Sequence, residues 1–168
     1  MHKVIIRHVL PKDLEGCFAV ETSGFPPEEA APRETIRLRM NVFPEGFLVA
    51  ELDGKVVGIL NSAATNKDDI SDEQLKQLTG HDPAGKNRVI FALAVLPEYR
   101  KQGIAGQLMS VFVEEARQGG KETILLMCKE HLIAYYEKMG FAHVSLSRST
   151  HGGAEWHEMR LALKTSQS

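Results

Sequence analysis

Ile90-Phe91-Ala92-Leu93-Ala94-Val95-Leu96-Pro97-Glu98-Tyr99-Arg100-Lys101-Gln102-Gly103-Ile104-Ala105-Gly106-Gln107-Leu108-Met109 is the stretch whose reading decides the fold. It continues an apolar run, Val89 to Leu96, with the length and uniform hydrophobicity of a strand covered on both faces, and Pro97 ends that strand by removing a ladder donor. Two cations follow, Arg100 and Lys101, and then Gly103, Ala105 and Gly106 stand among the first residues of a predicted helix. Such small residues let backbone N–H groups approach a ligand. A helix start also carries unpaired donors and roughly half a positive charge, so the segment predicts an anion site. Two glycines before a helix are often only turn residues; the order of strand, basic turn, small residues and helix carries the reading.

Working outward, Ile104, Leu108, Phe112 and Ala116 repeat at four-residue spacing up to Gly119-Gly120, which predicts an amphipathic helix packed on a sheet. Thr123 to Cys128 reads as a further strand, Glu130 to Met139 as a helix ended by Gly140, and Ala142–Leu146 with Ala154–Leu163 as a closing antiparallel pair around His151-Gly152-Gly153. Toward the N-terminus, Val4 to Val9 predicts a strand and Leu14 toward Thr22 a helix. Gly24-Phe25-Pro26-Pro27 breaks that helix before a second one, within Glu28 to Met40, that Pro32 interrupts or restarts. Phe47–Leu52 and Lys55–Ala63 form a hairpin through Asp53-Gly54, and Ser71 with Gln74 predicts a capped short helix inside an insertion from Thr65 to Asn87. This order suits an α/β protein with a mixed sheet.

The 168 residues suit one domain, taken as residues 1–163, followed by a polar tail, 164–168. A net charge of -2 provides no general field for nucleic acid or an anionic membrane, so the basic patch at Arg100 and Lys101 is local. No run approaches transmembrane length, and the apolar start is too short for a signal segment; the expected location is cytoplasmic. Cys17 and Cys128 lack metal or redox spacing and are expected to be reduced and buried. His143, His151 and His157 match no standard metal spacing, so no metal is expected.

With Arg100, Lys101, Gln102, Gly103, Ile104, Ala105 the chain resembles the GNAT superfamily of acyl-CoA-dependent N-acetyltransferases, whose pyrophosphate motif runs Arg/Gln, any, any, Gly, any, Gly/Ala after a strand. A dinucleotide-binding alternative needs a further glycine and a ribose-binding acid about twenty residues on; Glu122 has that offset but stands before a strand. The resemblance implies a GNAT fold, a central mixed sheet of about six to seven strands flanked by helices, with acetyl-CoA as co-substrate. It implies that Leu93, Ala94 and Val95 hold the pantetheine arm, and that Gln102, Gly103, Ile104, Ala105 and Gly106, helped by Arg100 and Lys101, hold the pyrophosphate. The segment Leu132-Ile133-Ala134-Tyr135-Tyr136-Glu137-Lys138-Met139-Gly140-Phe141 resembles the second signature of the superfamily, whose tyrosine, here Tyr136, is the usual general acid. A phenol with an ordinary pKa near 10 is protonated at neutral pH and suits a thiolate leaving group. Tyr135 falls on another helical face and is expected in the core.

Acetyl transfer also needs a neutral amine, and deprotonating a lysine-like amine at pH 7 costs about 4.6 kcal/mol. Phe25-Pro26-Pro27-Glu28-Glu29-Ala30-Ala31, His81-Asp82-Pro83-Ala84-Gly85 and Ala92-Leu93-Ala94-Val95 resemble the arylalkylamine (serotonin-type) branch, whose best-known members relay this proton through two histidines just before the Ala-Leu-Ala-Val run. Here those positions hold Val89 and Phe91. Glu21, Glu28 and His157 are the candidate replacements. Phe25, Pro26, Phe91 and Trp156 are candidates to line an acceptor pocket. The resemblance thus implies transfer to a small-molecule primary amine by direct attack, in a monomer or homodimer, with protein or peptide acetylation and a non-catalytic acyl-CoA-binding module as alternatives.

Overall fold

The structure, a computed structural model, describes residues 3–163, so the expected tail at 164–168 lies outside the described residues. The elements are β1 (Ile5–His8), α1 (Leu14–Gly24), α2 (Arg33–Val42), β2 (Phe47–Leu52), β3 (Lys55–Thr65), β4 (Asn87–Val95), α3 (Ile104–Gln118), β5 (Thr123–Cys128), α4 (Ile133–Lys138), β6 (Ala142–Leu146) and β7 (His157–Ala162). The strands form a seven-stranded mixed sheet in the order β1-β2-β3-β4-β5-β7-β6. β4 and β5 run parallel, whereas β1–β2, β2–β3, β5–β7 and β6–β7 are antiparallel. By internal packing the described residues form two compact units, 3–62 with Ala92–Phe112 and Ala63–Phe91 with 113–163.

In the first unit the β2–β3 hairpin turns through Asp53 (φ 52°) and Gly54 (φ 79°), the left-handed pair that a two-residue turn between twisted strands requires. Phe43, Phe47, Leu48, Ile59, Leu60, Ile36 and Cys17 are buried. Arg7 ties the entry of α1 to the sheet by donating to Asp13 and to Glu51, both at 2.8 Å. Asp13 is desolvated, but the hydrogen bonds from Arg7 and from the Leu10 N–H outweigh burial and hold its carboxyl below the usual range.

In the second unit the insertion between β3 and β4 is a built element. Its cap is Asp72, not Ser71: the Asp72 carboxylate accepts the Gln74 N–H, and Glu73–Gln77 form a 3₁₀ turn where a short α-helix is predicted. Ser71 instead donates its N–H to Asp69. Asp72 competes well because a carboxylate satisfies a helix-start donor at least as well as a hydroxyl. Ile70 and Leu75 bury themselves with Ala63, Val89 and Leu125 in one apolar cluster. Lys121 closes the far end of the insertion by donating to the carbonyls of Pro83 and Gly85, each at 2.6 Å. The predicted helix over 130–139 is divided into a 3₁₀ turn, Glu130–Leu132, and α4. The last strand begins at His157, so Trp156 belongs to the preceding loop.

Gly85 lies so close to Thr65 that an added Cβ would stand 2.5–2.6 Å from its backbone atoms. Backbone cannot yield as a side-chain tip can, so Gly85→Ala should destabilise the protein by about 1–3 kcal/mol. A urea midpoint unchanged from wild type would contradict this packing.

Candidate functional site

The first unit brings together most of the residues expected to bind a cofactor. The parallel pairing of β4 with β5 runs from Asn87 opposite Thr123 to Ile90 opposite Leu126, and β4 continues past this stretch through Leu93, Ala94 and Val95. Its end is fixed by the Leu96 N–H donating to the Val57 carbonyl at 2.8 Å. Pro97–Tyr99 then make a 3₁₀ turn, and the Arg100 guanidinium returns to the strand it has just left, Nε donating to the Val95 carbonyl at 2.9 Å.

The chain reaches α3 through left-handed backbone at Lys101 (φ 63°) and Gly103 (φ 82°). Gln107 donates its N–H to the Gly103 carbonyl at 3.0 Å, so the helical ladder begins immediately after the turn. Lys101, Gln102, Gly103 and Gly106 are exposed, Ala105 is half-buried, and Ile104 is buried. A Cβ added at Gly103 or Gly106 would meet no protein atom within 4 Å. Two cations, a helix start and open space above two glycines can therefore receive a polyanion. The role of Ile104 there is limited to its backbone, since its side chain anchors α3 in the core.

The expected acceptor loop lies in the same unit. α1 ends against β4: a Cβ on Gly24 would be 3.0 Å from that of Ala94. Phe25 is extended (φ −135°, ψ 143°) and, like Pro26, half-buried. The backbone carbonyl of Glu21 accepts the Phe25 N–H at 3.1 Å, and its carboxylate accepts the Ala31 N–H at 2.9 Å. Beneath this loop Arg39 is buried and donates to Asn61 Oδ1 at 3.3 Å; desolvation, partly countered by the charge of Glu21, brings its guanidinium down to about 10. Sequence reading missed Arg39. The available signal was its place three residues after Ile36, on the apolar side of α2.

The second unit carries Tyr136, Phe91 and Trp156. Tyr136 is 8% exposed, edge-on to Phe141 with ring centres 5.9 Å apart, and no described residue hydrogen-bonds its hydroxyl. Burial, and to a lesser degree its neighbours Tyr135 and Cys128, raise its phenol well above the ordinary value. Tyr135, expected in the core, is 40% exposed instead, because α4 is a short helix and buries only one of the adjacent rings. Phe91 packs with Met127 on the cluster containing Val89 and Leu125, with Lys76 Nζ 5.9 Å from its ring centre. Trp156 Nε1 donates to the His151 carbonyl at 2.9 Å, and Lys129 Nζ stands 5.7 Å from its ring.

His143 and His157 contact each other across the β6–β7 pair at 3.0 Å, and among the described residues no group of three or more His, Cys, Asp or Glu side chains gathers as metal ligands. Cys17 and Cys128 are free and buried, desolvation pushing their thiols up to about 12 and about 11. A hollow of about 480 Å³ lined by Asp69, Leu125, Val144, Arg148, Glu158 and Arg160 includes none of the predicted site residues. Among the described residues no helix is long and apolar enough to cross a membrane.

Residues 13–141 match the model of the Acetyltransferase (GNAT) family. Serotonin N-acetyltransferase of Mesocricetus auratus is 26% identical over 162 residues, covering 94% of this chain and 77% of that protein. "Probable hydrolase YhcX" of Bacillus subtilis is 28% identical over 131 residues, covering 74% of this chain, and the match spans only 26% of that longer protein. Among solved structures, the loading GNATL domain of CurA from Lyngbya majuscula superposes with a TM-score of 0.84 at 19% identity, covering 96% of this chain and 98% of that one.

The raised Tyr136 phenol has a consequence for stability. A phenol whose folded pKa exceeds its unfolded value near 10 stabilises the folded state fully below that value, and the contribution is lost as pH rises toward the folded pKa. Wild type should therefore lose stability more steeply than Tyr136→Phe between about pH 9 and about pH 11. Equal slopes in urea midpoints across that range would contradict the assignment.

Proposed function

Because this chain belongs to the GNAT family of acetyltransferases, we propose that it transfers the acetyl group of acetyl-CoA to a small-molecule primary amine by direct attack, working as one domain in the cytoplasm. The observation that carries the cofactor half is the turn between β4 and α3, where Gly103 and Gly106 leave open space beside Arg100 and Lys101. The CoA pyrophosphate lies on the backbone N–H groups from Gln102 to Gly106, where the helix start and the two cations favour negative charge. The pantetheine arm runs along Leu93, Ala94 and Val95 beyond the β4–β5 pairing and presents the thioester at the strand end.

The chemistry requires a neutral amine to attack the thioester carbonyl, forming a C–N bond as the C–S bond breaks, and a proton for the departing thiolate. Tyr136 supplies that proton. Its hydroxyl is protonated at neutral pH and has no partner among the described residues, so it can donate to the thiolate, and the proton that the amine loses as the C–N bond forms restores it. Phe25 and Pro26, half-buried at the end of α1, wall an apolar acceptor pocket. The small-molecule acceptor rests on similarity to serotonin N-acetyltransferase over 94% of the chain. A peptide or protein amine is the second reading, since the same chemistry serves both.

Release of free CoA thiol across arylalkylamines, polyamines, amino acids and peptides tests this directly. Turnover is expected with at least one small amine, and Tyr136→Phe should lower kcat by about a hundredfold with the KM for acetyl-CoA little changed. Gly103→Val, which forces a branched residue into left-handed backbone, should raise the KM for acetyl-CoA by about tenfold or more. CoA binding without acetyl consumption on any amine would mark a binding module, and undiminished kcat in Tyr136→Phe would remove the acid assignment.

A further inference from the structure

We propose that Glu21 is the positioning residue of the acceptor loop, segment 25–31, and that it acts by gripping both ends of that loop, not by taking a proton from the substrate. The acceptor half of this inference rests on the acetyltransferase reading. Glu21 stands one turn before the end of α1 and is 3% exposed. The last ladder bond of α1, from the Phe25 N–H to the Glu21 carbonyl, sets where the loop leaves the helix, and the Glu21 carboxylate Oε2, by accepting the Ala31 N–H, fixes where it approaches α2. Between these points Glu29 and Ala30 both donate to the Pro26 carbonyl at 2.9 Å, giving the loop its own internal turn. Phe25 and Pro26, the candidate pocket walls, are thereby set beside the stretch where Gly24 meets Ala94.

A buried carboxylate holds such a loop only if its charge is opposed. Arg39, 4% exposed, supplies that opposition, and Asn61 on β3 orients the guanidinium through Nη1. The loop is therefore referred through Glu21 and Arg39 to the sheet. This arrangement suits positioning better than base catalysis. A general base must approach the substrate and exchange its proton with solvent, whereas one oxygen of this carboxylate is occupied by a backbone donor and its charge by a buried cation.

Two double variants separate the roles. Glu21→Gln/Arg39→Met and Glu21→Leu/Arg39→Met both remove the buried charges, but only the first keeps an oxygen for the Ala31 N–H. Hydrogen–deuterium exchange at Ala31 should stay near the wild-type rate in the first and quicken about fivefold or more in the second. Equal exchange in the two would overturn the proposal, and this readout requires no catalytic activity. In the amine assay, the Leu variant should raise the acceptor KM about fivefold or more with the KM for acetyl-CoA unchanged, and the Gln variant should restore it. Equal loss of kcat in both would show that a carboxylate is needed and make Glu21 a base. If wild type showed no amine-dependent turnover, the acetyltransferase reading would fail while the exchange comparison still decided the role of Glu21. Should either double variant fail to fold, Ala31→Pro deletes the donor and leaves the buried pair intact; it should quicken exchange across 25–30, and unchanged exchange would overturn the proposal.

Discussion

The hydrogen bond from Arg100 Nε to the Val95 carbonyl is the constraint on which the rest depends. A strand that ends at Val95 and a helix that begins at Ile104 can be joined in many ways, and here the side chain of Arg100 returns to the strand the chain has left. Here the turn passes through left-handed backbone at Lys101, a residue with a Cβ, at a cost of about 1–2 kcal/mol. The Arg100 bond offsets part of that cost by closing the turn on its own strand, since a hydrogen bond to a charged donor contributes about 1.5–3 kcal/mol. Fixing the turn also fixes the helical register. Ile104, Leu108 and Phe112 are then buried on one face, and Leu108 reaches the sheet where Gly58 has no side chain to obstruct it.

This constraint explains why the strand, turn and helix from β4 to α3 were legible in the sequence. Strand, proline, cation, glycine and amphipathic helix are each local signals, and each was in its expected place. Features that depended on competition between neighbours were harder to read. Ser71 and Asp72 both make acceptable caps, and the choice depends on which oxygen meets the Gln74 N–H. Tyr135 and Tyr136 are adjacent on a helix too short for its periodicity to say which ring faces inward. Trp156 falls inside the run Ala154 to Leu163 that reads as a strand, although its indole N–H is spent on the His151 carbonyl in a loop.

The loop between α1 and α2 depends on contacts between residues distant in sequence, and those are invisible to periodicity. Nothing local marks Glu21 and Ala31 as partners, and the spacing of Arg39 from Ile36 says nothing of Asn61 beside it. The positions where a histidine relay would stand show the same limit from another direction. Their sequence reveals only that Val89 and Phe91 cannot carry a proton. The fold supplies the reason those side chains are apolar: Val89 is enclosed with Ile70 and Leu75 of the insertion, and Phe91 packs on the same cluster. An imidazole at 89 would be buried beside these apolar groups, where a polar group left unsatisfied costs about 1–3 kcal/mol. Sealing this face of the sheet with Ile70 and Leu75 favours apolar residues beneath, and Val89 and Phe91 supply them.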